Sequence, residues 1–246
     1  MDSSLEQYNS SSLDALRFNR EGFLGIYHGC MFAGKSRLLI MKLSKKQDLG
    51  LKVVYVTHGN DQRLTKGYRV PPLLKEKGSN CGISTHWSCF ADAIIPFDCL
   101  MTQSLGNIYH RLLEYDVIGI DELQFFKEEV IQTTKDLVEL EHKRVYVVGL
   151  DTNFKREKFG HILDLIPFCN KSKKIRAKCD RCKGTMQELR DRNLSSSAAL
   201  VPASFTAKIG GDINKIEESG AQEMYIPLCR YHYIQYEKEY ELKKIL

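Results

Sequence analysis

Apolar and polar positions divide the first two thirds of the chain into short buried-looking runs alternating with amphipathic stretches. Phe23 to Tyr27, Lys52 to Thr57, Val117 to Ile120 and Val145 to Gly149 are rich in Val, Ile, Leu and Tyr, the pattern of parallel strands covered on both faces. Between them, Ser36 to Lys46 sets Leu38, Leu39, Ile40, Met41 and Leu43 among basic residues, and Glu128 to Leu140 spaces Val130, Ile131, Leu137, Val138 and Leu140 at about helical intervals. Strands alternating with helices predict an open α/β fold on a parallel sheet, with its ligand at the C-terminal ends of the strands. The serine-rich segment 1–21 has few large apolar groups and is expected to be a flexible tail ahead of a domain over 22–170.

Around Lys171 the pattern breaks. Lys171, Lys173, Lys174, Arg176, Lys178, Arg181 and Lys183 crowd together, and two metal-ligand pairs follow, Cys179-x2-Cys182 and Cys229-x2-His232. We expect a second domain over 171–236 and a C-terminal tail over 237–246. Such a unit is too small and polar for a rich core of its own, which is where a structural metal contributes most. Three thiolates and one imidazole make a closed tetrahedral set suited to zinc, with no open position for catalysis. The other cysteines of the eight show no ligand spacing and read as small buried apolar groups.

Composition narrows the class without naming a function. Hydrophobic residues make up 43% and charged residues 27%, as in ordinary globular proteins rather than disordered or membrane ones. No apolar run reaches the roughly 18 residues of a bilayer span, and the first residues lack a signal peptide's apolar stretch, so a cytoplasmic protein with reduced thiols is expected. The net charge of +5 suits a polyanion such as a nucleotide and does not require nucleic acid.

Gly29-Cys30-Met31-Phe32-Ala33-Gly34-Lys35-Ser36 fits G-x4-G-K-[ST], after a predicted strand and before a predicted helix. In such a loop, backbone N–H groups of Gly29, Met31, Phe32, Ala33 and Gly34 can surround a phosphate, and the helix N-terminus adds its positive end. Lys35 would supply charge to the β- and γ-phosphates of ATP, and the Ser36 hydroxyl would ligate Mg²⁺. The strand Val117 to Ile120 ends in Asp121-Glu122, where a P-loop protein places its second magnesium-associated acid. Asp121 fits that role, while Glu122 could take a proton from whatever attacks the γ-phosphate, whether water in an ATPase or a substrate hydroxyl in a kinase.

Longer words decide between these. The phosphate loop resembles the G-P-M-F-[SA]-G-K-[ST] loop of the cytosolic, zinc-containing thymidine kinase family, and Asp121-Glu122-Leu123-Gln124-Phe125-Phe126 is similar to its D-E-x-Q-F-F. Asp61-Gln62-Arg63 resembles the family's D-T-R. Gly149-Leu150-Asp151 with Phe154 and Phe159-Gly160 resembles G-L-D-x-x-F-x-x-x-x-F-G. The stretch from Gly220 to Tyr233 is similar to G-x-x-E-x-Y-x-x-x-C-R-x-[CH].

The resemblance implies a P-loop (RecA-like) sheet flanked by helices, a small zinc-binding domain with a substrate lasso, a homotetramer and feedback by dTTP. It also implies roles. Glu122 would be the general base on the nucleoside 5′-hydroxyl, Arg63 and Lys35 would neutralise the transferring group, and Asp121 would hold Mg²⁺ through water. Met31, Asp61, Phe125, Leu150, Phe154 and Phe159 would line the nucleoside pocket. Ala203 to Lys208 resembles A-x-[FY]-T-x-[RK], so Thr206 and Tyr225 would anchor a lasso running from Phe205 to Tyr225 and holding the thymine ring.

Four departures stand out. Cys30 replaces Pro, Leu123 replaces a small residue, 183–202, with Ser195-Ser196-Ser197, forms an insertion where the family has only a few residues, and Ile209-Gly210-Gly211, similar to the family's I-G-G, sits too early relative to Tyr225. A nucleic-acid-stimulated ATPase gripping a phosphate backbone with the Lys171 to Lys183 cluster is the competing reading, but that cluster lacks interleaved stacking aromatics.

Overall fold

The computed structural model describes residues 21–59, 97–182, 201–212, 215–216 and 223–245, the last five without their side chains. Asp61, Arg63, the 1–20 segment and most of the 183–202 insertion lie outside the described residues.

Six strands form one parallel sheet: β1 (Phe23–Gly29), β2 (Val53–His58), β3 (Asp98–Thr102), β4 (Val117–Ile120), β5 (Arg144–Gly149) and β6 (Lys171–Ile175), in the order β3-β2-β4-β5-β1-β6. The phosphate-loop strand β1 is thus separated from the acid-bearing strand β4 by β5, and the C-terminal ends of all three open on one edge of the sheet.

Period-two alternation gives the sheet two apolar faces. Leu24, Ile26, Val54, Val56, Ile118, Ile120, Val145 and Val147 face one way, against Val130, Leu137 and Val138 of a helix over Glu129–Glu139. Tyr27, Val53, Tyr55, Val117, Tyr146 and Val148 face the other, against Leu39 and Leu43 of helix α1 (Lys35–Gln47). The helix sits close because Gly119 has no side chain; a Cβ there would lie 2.6 Å from a Leu43 methyl.

Two of the six strands were not anticipated. Among the described residues β3 pairs only with β2, and it contains no Val or Ile. β6 reads Lys-Ser-Lys-Lys-Ile and, among the described residues, pairs only with β1; charge on such an outer strand discourages pairing with another chain. The expected boundary at residue 170 therefore falls just before a strand of the main sheet.

The described residues of the remaining unit form two short strand pairs and one helix. Ala177–Lys178 (β7) pairs antiparallel with Pro202–Ala203 (β8), and Phe205–Lys208 (β9) with Tyr225–Leu228 (β10). The C-terminal helix over Arg230–Ile245 then runs through the stretch expected as a tail. Its Tyr233, Tyr236 and Tyr240, spaced three and four apart, form one buried face against Phe154, Ala203, Ala207, Tyr225 and Leu228.

Candidate active site

Backbone conformation shapes the phosphate loop. Gly29 has φ 149° and passes so close to β6 that a Cβ would lie 2.1 Å from the Ile175 carbonyl oxygen. Gly34, left-handed at φ 78°, starts α1, and Phe32 also has positive φ, at 62°. Lys35 is buried and reaches back across the loop, its Nζ donating to the Cys30 carbonyl at 2.8 Å. Ser36 follows in the first turn of the helix.

The loop also leans on the small unit. Met31 N donates to Thr206 Oγ1 at 3.0 Å, and the Cys30 thiol lies 3.3 Å from the Ala203 carbonyl oxygen. Burial pushes that thiol's pKa up, though the Lys35 charge opposes it. Where the family pattern has Pro, this chain packs a neutral thiol against β8.

Asp121 is 1% exposed, and both its oxygens are engaged: Tyr55 donates its hydroxyl to one, and the Glu122 N–H donates to the other at 2.7 Å. That turn puts Glu122 in the left-handed region, φ 52° and ψ 40°. Gln124 donates from Nε2 to Glu122 Oε2. Phe125 lies edge-on to Phe159, with centroids 5.9 Å apart, and tilted against His58. Phe125, Phe159, Leu150 and Met31 are all half-buried.

Behind the loop, at the ends of β1, β5 and β6, the buried Asp151 carboxylate meets His28 Nδ1 at 3.1 Å and Lys174 Nζ at 2.8 Å. Burial alone would raise its pKa, but the two hydrogen bonds and the charges behind them prevail and hold it at about 2. One lysine of the basic run is thus committed to an internal ion pair rather than to a surface stripe.

Cys179, Cys182, Cys229 and His232 bring their ligand atoms within 4.8 Å of one another. His232 Nδ1 is 3.4 Å from each of the three sulfurs, and Cys182 and Cys229 Sγ are 3.9 Å apart. These are close to the edges of a tetrahedron about a zinc ion with ~2.3 Å Zn–S and ~2.0 Å Zn–N bonds. They are far too long for a disulfide, whose sulfurs sit ~2.05 Å apart. The donor set fits zinc.

A thymidine kinase family model matches residues 22–233, spanning both the sheet and the four-ligand cluster. The chain belongs to the thymidine kinase family. Similar proteins include the thymidine kinase of Amsacta moorei entomopoxvirus, 32% identical over 83% of this chain and 94% of that one. Variola virus thymidine kinase is 30% identical over 87% and 97%, and a rice thymidine kinase 28% identical over 87% and 66%. Among solved structures, a DNA replication initiation factor superposes with a TM-score of 0.38 and 15% identity over 79% of this chain and 53% of that one. This chain therefore spans about half that protein's length, and so distant a likeness says nothing of its chemistry. Membership in the family makes the chain a phosphotransferase.

Most family words meet in space. The loop from Gly29 to Ser36, the Asp121-Glu122 turn, Leu150 and Phe125 with Phe159 gather at the C-terminal edge of the sheet. Thr206 reaches the loop through Met31. Phe154 and Tyr225, expected in the nucleoside pocket, are 3% and 6% exposed and pack in the tyrosine-lined core of the small unit.

The expected lasso has a ladder at its base, with Tyr225 opposite Lys208 and Pro227 opposite Thr206. The buried Lys208 ammonium closes the turn beyond it by donating to the carbonyls of Asp212 and Lys215. Sequence reasoning assigned nothing to Lys208, Tyr55, His28, Lys174 or Gln124. Of these, Gln124 and Lys208 carried a signal, as the last named positions of D-E-x-Q and A-x-[FY]-T-x-[RK], and Lys174 was read only as part of the basic run.

Proposed function

We propose that the protein transfers the γ-phosphate of ATP to the 5′-hydroxyl of deoxythymidine, with deoxyuridine the next acceptor to test, in nucleotide salvage for DNA synthesis. The observation that carries this reading is the placement of Glu122. It is a half-buried carboxylate on a left-handed turn, held by an amide, at the sheet edge shared with the phosphate loop and the Phe125–Phe159 pair.

The loop amides and Lys35 hold the triphosphate, and Lys35 leaves the Cys30 carbonyl to do so. Ser36 and Asp121 would hold Mg²⁺, the latter through water because both its oxygens already accept hydrogen bonds. Bound there, the ion would neutralise charge on the β- and γ-oxygens. Glu122 takes the 5′-hydroxyl proton as that oxygen attacks the γ-phosphorus, the β–γ bridging bond breaks, and ADP leaves. Arg63 and Lys35 offset charge on the transferring group, and Asp61, Met31, Phe125, Leu150 and Phe159 shape the nucleoside side, with Phe154 behind them in the core of the small unit.

A structural zinc at Cys179, Cys182, Cys229 and His232 would fix the base of the lasso, whose anchors are Thr206 and Tyr225. A cytoplasmic homotetramer inhibited by dTTP, acting without nucleic acid or membrane, completes the reading. Among the described residues, no helix is long and apolar enough to cross a membrane.

A coupled kinase assay across the four natural deoxynucleosides tests this directly. Thymidine should drive ADP production, and Glu122→Gln should lower turnover by at least about 10²-fold, the low end for loss of a general base. Thymidine-independent but DNA-dependent ADP release would reject it.

A further inference from the structure

Two family words, D-E-x-Q and G-L-D, meet on the Gln124 side chain, and a third, F-G, packs against that residue's backbone. Gln124 is 4% exposed and its amide is used at both ends: Nε2 donates to Glu122 Oε2, and Oε1 accepts the Leu150 N–H at 2.9 Å. Two glycines make room for the residue, one beside its amide and one beside its backbone. A Cβ on Gly149 would lie 2.7 Å from Gln124 Oε1, and one on Gly160, left-handed at φ 63°, would lie 2.4 Å from the Gln124 carbonyl oxygen. The amide is thereby fixed in orientation, because a flip would point an N–H at the Leu150 N–H and an oxygen at the Glu122 carboxylate.

We propose that Gln124 is a positioning residue for phosphoryl transfer: it transmits the fixed end of β5 to Glu122 and aims the carboxylate at the acceptor hydroxyl. This rests on the reading of Glu122 as the base. Glu122 needs such a hold because it stands on a left-handed turn that nothing in its own residue type favours. A neutral amide suits the task. A lysine or arginine in its place would fix the carboxylate equally well, but its full charge would stabilise the anion and weaken it as a proton acceptor.

The test is a double-mutant cycle on the full-length protein. Gln124→Met keeps length and removes both hydrogen bonds; Gln124→Glu keeps an acceptor for Leu150 N–H and removes the donor to Glu122. Each is measured with Glu122 intact and as Glu122→Gln, with kcat, KM for thymidine and melting temperature recorded. With Glu122 intact, both should lose kcat by about 10- to 100-fold, on the scale of a misplaced reacting group, with KM changed less than about threefold. In the Glu122→Gln background, neither should cost more than about twofold further, because Gln124 acts only through that carboxylate.

Equal losses in both backgrounds, or a Gln124→Glu variant that folds with unchanged kcat, overturn the positioning role and leave the base intact. Wild-type turnover in Glu122→Gln overturns the base itself and the positioning role with it. If Gln124→Met fails to fold, Gln124→Glu and Gly149→Ala, which crowds the amide oxygen, decide the question with the same readouts.

Discussion

The two halves of the site are held by different physics. The sheet carries the phosphate loop and the acid pair on strands whose side chains are almost all buried, layered between α1 on one face and the Glu129–Glu139 helix on the other. Among its described residues, the small unit has a two-residue pair of strands, a four-residue pair and one helix. Its cohesion comes from three tyrosines on one helix face, a buried lysine bonded to loop carbonyls, and four ligands meeting at one point. A large apolar core fixes the strand ends that carry the Glu122 turn and its Gln124 support, whereas a small unit with little core of its own is where a structural metal contributes most.

The sharpest way to break the comparison is to remove one ligand from the cysteine–histidine cluster. Structural zinc sites contribute on the order of 10 kcal/mol of apparent binding energy, so Cys229→Ser should abolish zinc content and thymidine binding. The sheet should still melt cooperatively and still bind ATP. Simultaneous loss of the sheet transition would show that the two regions are one cooperative unit.

A core deletion works in the opposite sense. Ile118→Ala, at a fully buried position in β4, should lower unfolding free energy by about 3 kcal/mol in a denaturant titration, with zinc content unchanged.

The smallest expected effect probes the seam between sheet and loop. Asp151 has a carboxyl held at about 2, below its ordinary 3.8, so its contribution is fully present above pH 4 and is lost as pH falls through 2. That difference amounts to about 2 kcal/mol, and Asp151→Asn should remove it at neutral pH while flattening the acid limb of the stability profile.

What the sequence revealed follows the same division. Four strands and both long helices of the sheet were legible because burial on two faces forces continuous apolar runs and helical spacing into the chain. β3 and β6 were not, because each has one strand neighbour and can tolerate Asp, Lys and Ser. The helix past residue 236 could have been found from the spacing of Tyr233, Tyr236 and Tyr240. The ligand pairs were visible because metal geometry fixes their spacing, but the roles of Gln124, Lys208 and Tyr55 depend on where side chains meet across 26, 7 and 66 residues, and no local pattern encodes that.

The central claim is that Glu122 faces the attacking hydroxyl. A crystal structure with thymidine and a non-hydrolysable ATP analogue measures it directly. The account predicts a Glu122 carboxylate oxygen at about 3 Å from the 5′-oxygen, with the γ-phosphate beyond it in line. A bound nucleoside whose 5′-oxygen lies far from that carboxylate, against some other base, would contradict it.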